Sequence, residues 1–215
     1  MQINEDENRD IMCDVSMHMD TYNSEEVSIQ ADLFLDSEKP FVTEADICNH
    51  SGGFKSNTSI EAKYMEIYGD VEIEGDLKTS EGFSGEEDVT VYGNLNVSGG
   101  TCLVGGNLLA NSITVNKTQD DDDGLVVDGK IISQGEIRVF GDLRCGGDVT
   151  ANEIDVTGNL TIVGNTTATK ITVGGISEFG GEVNGILESV NTQKLPEEKV
   201  VRLTRNIMQY RTGQK

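Results

Sequence analysis

Between residues 60 and 185 the chain is written in short runs of alternating aliphatic and polar residues, most of them closed by Gly-Asp, Gly-Asn or Gly-Gly. The runs repeat. Ala62-Lys-Tyr-Met65-Glu-Ile67-Tyr-Gly69-Asp-Val71 has the form A-x-x-φ-x-[V/I]-x-G-[D/N]-φ, with φ aliphatic or Met, and Ala151-Asn-Glu-Ile154-Asp-Val156-Thr-Gly158-Asn-Leu160 has it in full. Ala110 to Val115 and Ala168 to Val173 repeat its first half. Val91 to Leu95, Val104 to Leu108 and Val139 to Leu143 repeat its second. The step from Gly141 to Gly158 equals the step from Ala151 to Ala168. A shorter step lies inside the unit, as from Gly135 to Gly141 to Gly147.

Period-two alternation is the pattern of a half-buried strand. Gly-Asp and Gly-Asn tolerate positive φ and so turn corners at low cost. Three runs and three corners close a triangular coil, and successive coils stack through parallel hydrogen-bond ladders. The predicted fold is therefore all-β: a single-stranded triangular parallel β-helix, or β-solenoid, of about 17 residues per coil. An antiparallel sandwich is the competing reading, but its turn signals would fall about every 8–12 residues without that longer return.

The solenoid is expected over residues 59–187, with a loop insertion at 116–124. Four consecutive aspartates there (Asp120 to Asp123) cannot turn inward, and register resumes at Leu125. Residues 1–58 read as an acidic N-terminal arm or a small cap. Residues 188–215 read as a linker and a short basic amphipathic helix. Pro196 with Glu197 and Glu198 suits a helix start, and Val200, Leu203, Ile207 and Tyr210 then form one apolar stripe beside Arg202 and Arg205. These six residues are the candidate self-association or partner contact, so Leu203→Asp or Ile207→Asp is expected to disrupt assembly without unfolding the coils.

Charge sharpens the picture. The 215 residues hold 38 acidic and 16 basic side chains, for a net charge of −22. Half of this sits in residues 1–50, at −11, whereas residues 196–215 carry +3. A chain this acidic repels phosphate backbones, so direct nucleic-acid binding is not expected, and a basic protein is a better partner. There is no long apolar run that would span a membrane, and MQINEDENRD is unlike a signal peptide. A cytoplasmic protein, or a virion component if phage-encoded, is the expectation.

Candidate chemistry is sparse, and no enzyme activity or cofactor is expected. Neither a G-x-S-x-G elbow nor a P-loop occurs, and the glycines fall at coil corners. The two histidines each lie near a cysteine, Cys13 with His18 and Cys48 with His50, yet the spacings match no tight zinc pattern. No metal site is assigned on that basis. Cys102 and Cys145 have the parity of inward residues and read as small core hydrophobes. Asp120 to Asp123 lack the calcium-loop register. Hexapeptide acyltransferase solenoids need a histidine near the coils, and both histidines fall outside the predicted ones.

The repeat A-x-x-[I/V]-x-[V/I]-x-G-[D/N]-[L/V], clearest over Gly135 to Gly175, resembles the core of the bactofilins. These are polymer-forming bacterial cytoskeletal proteins with a triangular right-handed β-helix. The resemblance covers residues 60–185 and implies a nucleotide-independent filament built by end-to-end stacking, the chain's partner being itself. The long acidic N-terminal region, the interruption at 116–124 and the C-terminal helix depart from that family's pattern. Val156-Thr-Gly-Asn-Leu-Thr-Ile-Val-Gly-Asn-Thr-Thr is similar to G-N-L-T-V-x-G-N-T-T runs of bacteriophage tail fibres, which implies a closed oligomer instead. A third reading is an acidic inhibitor or binding module that mimics nucleic acid.

Overall fold

A computed structural model describes residues 11–12, 26–29, 32–116 and 123–195. Every element among them is a β-strand, and no helix among these residues is long and apolar enough to cross a membrane. The described residues wind into nine coils, stacked as three parallel ladders that form three walls. The first wall runs through residues 33–35, 54–56, 71–73, 89–91, 108–110, 131–133, 149–150, 166–167 and 183–184. The second begins at Phe41–Val42 and passes through 60–62, 77–79, 95–97, 113–116 and 137–139 to 186–189. The third runs from Asp46–Asn49 through 65–67, 83–85, 102–104, 125–127 and 143–145 to 191–194. This is the predicted parallel β-solenoid.

Alternation fills its interior. On the second wall Ile60, Leu77, Leu95, Ile113, Ile137, Ile154 and Ile171 stack as register partners, and all are buried. Each such side chain contributes about 1.5–3 kcal/mol by leaving water. Cys102 and Cys145 are inward, as their parity requires.

The coil length varies. Stacked partners on the first wall run from Phe54 through Val71, Val89, Leu108, Ile131 and Val149 to Thr166, and the stretch of chain between successive partners is not constant. It lengthens coil by coil from Phe54 to Ile131 and then shortens again. The longest step, from Leu108 to Ile131, contains the insertion expected at 116–124, of which residues 117–122 lie outside the described residues.

The stack also starts earlier and ends later than residues 59–187. Leu33–Leu35, Phe41–Val42 and Asp46–Asn49 build a complete first coil, so residues 33–58 are solenoid where an arm or cap was expected. Leu33, Leu35 and Ile47 enter the buried columns even though no Gly-Asp signature precedes them. At the other end Val183–Lys194 is the ninth coil, so residues 188–194 are strand where a linker was expected. Leu195 is buried, and its N–H donates to Phe179 O at 2.8 Å.

The corners work differently from the expectation that glycine is there for positive φ. Among the described residues only Gly82, Gly99, Gly141 and Gly185 have left-handed φ. Elsewhere the constraint is the closeness of the next coil. A Cβ on Gly158 would sit 2.6 Å from Gly141 O, and one on Gly164 would sit 2.6 Å from Gly147 O. The Asp or Asn after the glycine has its own task. Asp142 Oδ1 accepts the backbone N–H of Asn159 at 2.7 Å, and Asn159 Oδ1 accepts that of Ile176 at 2.9 Å. Asp148, Asn165 and Glu182 make the same ladder at another corner, at 2.7 and 2.9 Å. Gly-Asp and Gly-Asn thus supply closeness from one residue and a coil-to-coil hydrogen bond from the next.

Candidate functional site

Two places depart from the regular stack, one at each end. At the C-terminal end, Val183–Lys194 pairs on one side with Thr166–Phe179, and its outer edge faces no other strand among the described residues. Such an edge presents a row of backbone N–H and C=O groups to any further strand. The inward Val183 and Leu187 are only partly buried, because no described coil lies beyond them. Ile186 and Val190 are 64% and 79% exposed. The interior column also turns polar here: Ser177 Oγ lies 3.0 Å from Ser189 Oγ and 3.1 Å from Thr192 Oγ1. Hydroxyls that satisfy one another let the column finish near water at lower cost than bare aliphatics would.

The N-terminal end is partly closed by the chain itself. Ile11–Met12 runs antiparallel along Leu33–Leu35, and Glu26–Ile29 adds a parallel strand to Asp46–Asn49. On the outside of this third wall, Cys48 and Glu66 are register partners in neighbouring coils. Both point outward, since Ile47, Met65 and Ile67 point in. His50 follows Cys48 at the next outward position. The ligand atoms of Cys48, His50 and Glu66 all lie within 4.8 Å of one another, with His50 Nε2 3.5 Å from Glu66 Oε2. The Tyr68 ring packs on the imidazole at a centroid distance of 4.8 Å, and the Tyr68 N–H donates to Asn49 O at 2.9 Å. Cys48 is buried, Glu66 half-buried and His50 exposed.

Tyr64 stands beside this group over Gly82, and burial, helped by the Glu66 charge, pushes its phenol up to about 12. Its hydroxyl is thus neutral at ordinary pH. Burial alone likewise pushes the Cys102 thiol up to about 12, and it is the main cause of the same rise at Cys145. These two thiols remain protonated near neutrality, which removes them as nucleophiles.

The six predicted contact residues, Val200, Arg202, Leu203, Arg205, Ile207 and Tyr210, lie outside the described residues, as does the predicted helix. Cys13 and His18 also lie outside them. The structure brings Cys48 and His50 together and adds Glu66, which spacing along the chain did not single out. No signal along the chain singled it out, because Cys48 lies before the predicted coils and Glu66 meets it only through the ladder register. Compared with family models, curated proteins and solved structures, the chain matches none.

Proposed function

We propose that this is a non-enzymatic structural protein that self-assembles through its β-helical core, forming a bactofilin-like filament or scaffold. The observation that carries the reading is the C-terminal coil, whose outer edge pairs with no further strand among the described residues and whose inward Val183 and Leu187 are only partly buried. A second copy of the chain offers the most complementary surface for that end, because its coils share the same triangular section and strand spacing. The two ends of the stack are unlike, so the contact is directional when one copy's end meets the other end of the next.

The test is negative-stain electron microscopy with light scattering on the reduced full chain, without nucleotide, at low and high salt. Filaments are expected from the parent. The double variant Ile186→Lys, Val190→Lys is expected to stay small with unchanged circular dichroism, because lysine on an edge strand blocks further pairing. Leu203→Asp in the same assay separates the coil edge from the residues after it as the contact. A closed small oligomer would move the reading to a tail-fibre-like component. A monodisperse monomer at every concentration would overturn self-assembly and leave an acidic module for a basic protein partner.

A further inference from the structure

We propose that Cys48, His50 and Glu66 form a binding site for one zinc-class divalent cation on the outside of the third wall. The donor set is the first reason. A thiolate, an imidazole nitrogen and a carboxylate oxygen together select borderline metals such as zinc over calcium or magnesium, which prefer oxygen alone. The second reason is geometry. Bonds of about 2.0–2.3 Å in a tetrahedron place ligand atoms about 3.3–3.8 Å apart. The His50–Glu66 separation of 3.5 Å already has that length, and the full group falls within 4.8 Å. The exposed imidazole and half-buried carboxylate can close the remainder by small side-chain rotations.

The surroundings hold the group in place. Cys48 and Glu66 are fixed opposite each other by the ladder between Asp46–Asn49 and Ile60–Ile67. The Tyr68 ring packs against the imidazole while Nε2 faces Glu66. Burial of Cys48 shields a metal–sulfur bond from water. On binding, the thiol proton passes to solvent and the thiolate takes its place on the cation. Three protein ligands leave the fourth tetrahedral position to water or another donor, the arrangement of an open site. The residues come from two successive coils, so a bound cation would also clasp those coils together.

The test uses the full chain, reduced and stripped with a chelator, titrated with Co²⁺ and then Zn²⁺. The expected result is one equivalent of Co²⁺ giving a thiolate-to-cobalt charge-transfer band and tetrahedral visible bands, both abolished by one equivalent of Zn²⁺. Cys48→Ser is expected to remove the charge-transfer band. His50→Ala and Glu66→Gln change an exposed and a half-buried side chain on the outside of the wall, are expected to keep the fold by circular dichroism, and are expected to weaken Co²⁺ binding about tenfold or more. Absence of the bands in the parent overturns the proposal. So does a band that survives Cys48→Ser, or parental affinity in either His50→Ala or Glu66→Gln. Should Cys48→Ser fail to fold, those two variants decide the matter.

Discussion

The two ends of the stack finish in opposite ways. At the N-terminal end the chain adds strands of its own beyond the first coil, with Ile11–Met12 antiparallel on the first wall and Glu26–Ile29 parallel on the third. At the C-terminal end Val183–Lys194 leaves its outer edge toward solvent among the described residues, and its inward Leu187 is only partly covered. Between them lie coils whose inward side chains have a neighbour above and below. A repeat of this kind carries no instruction about its own length. Each coil is as good a template for the next as the one before it, so the ends alone decide whether stacking stops. The antiparallel Ile11–Met12 interrupts the parallel ladder of the first wall alone, whereas Glu26–Ile29 continues that of the third.

The largest effect that sharpens this contrast is in the interior columns. Leu143 is fully buried between coils, and Leu143→Ala is expected to cost about 2–5 kcal/mol in urea unfolding of dilute chain. Leu187 occupies a second-wall inward position in the last coil, and Leu187→Ala is expected to cost about 1 kcal/mol or less. Equal losses would show that the last coil is covered in solution and would break the comparison of middle with end.

Next in size is Gly158→Ala. The new methyl would press on Gly141 O, while Gly158 O already accepts the Gly175 N–H from the coil on the other side at 2.8 Å. Coils on both sides leave little room to relax, and a loss of about 1–3 kcal/mol is expected in the same assay. A variant as stable as the parent would refute the account of corner glycines as close-approach positions.

The smallest effect is on the outer walls. Lys55 Nζ meets Glu72 Oε2 at 2.6 Å across adjacent coils. The hydrogen bond from Lys55 and then its charge hold the Glu72 carboxyl below its usual 4.5. A carboxyl depressed in the folded state adds stability above its unfolded value, and this is lost as pH falls through the folded value. Both side chains reach solvent, so screening leaves little of it. Thermal melts of parent and Lys55→Gln are expected to differ slightly at neutral pH and to converge in acid. A large neutral-pH difference would mean that outer charge pairs, rather than inward columns, hold the coils together.

The coils from Gly135 to Gly175 were fully legible, because alternation and Gly-Asp or Gly-Asn corners recur there at a constant step. The first coil was not. Its wall-one partners Leu33 and Phe54 stand further apart in the chain than any other pair on that wall except the one spanning the insertion, and its corners lack the signature. The last coil was half-hidden for another reason. Thr166–Phe179 and Val183–Lys194 run as continuous strands around their corners, so little punctuation marks residues 183–194 as a ninth coil. The Cys48–His50–Glu66 group was half-legible: the first two are near neighbours in the chain, but Glu66 joins them only through register.

The amino-acid sequence by itself determined the character of the coils that carry the repeat: which side chains face inward, where the chain turns, and that turns repeat into a stack. Those properties depend on local alternation and on residues at each corner, and both are written contiguously. The tertiary structure alone decided which outward residues meet across coils and how the stack ends. Coil length is uneven along the first wall from Phe54 to Thr166, so neighbours one coil apart cannot be counted off at a fixed step. The ladder hydrogen bonds set that register, and with it they place Glu66 beside Cys48 and leave the outer edge of Val183–Lys194 without a further strand among the described residues.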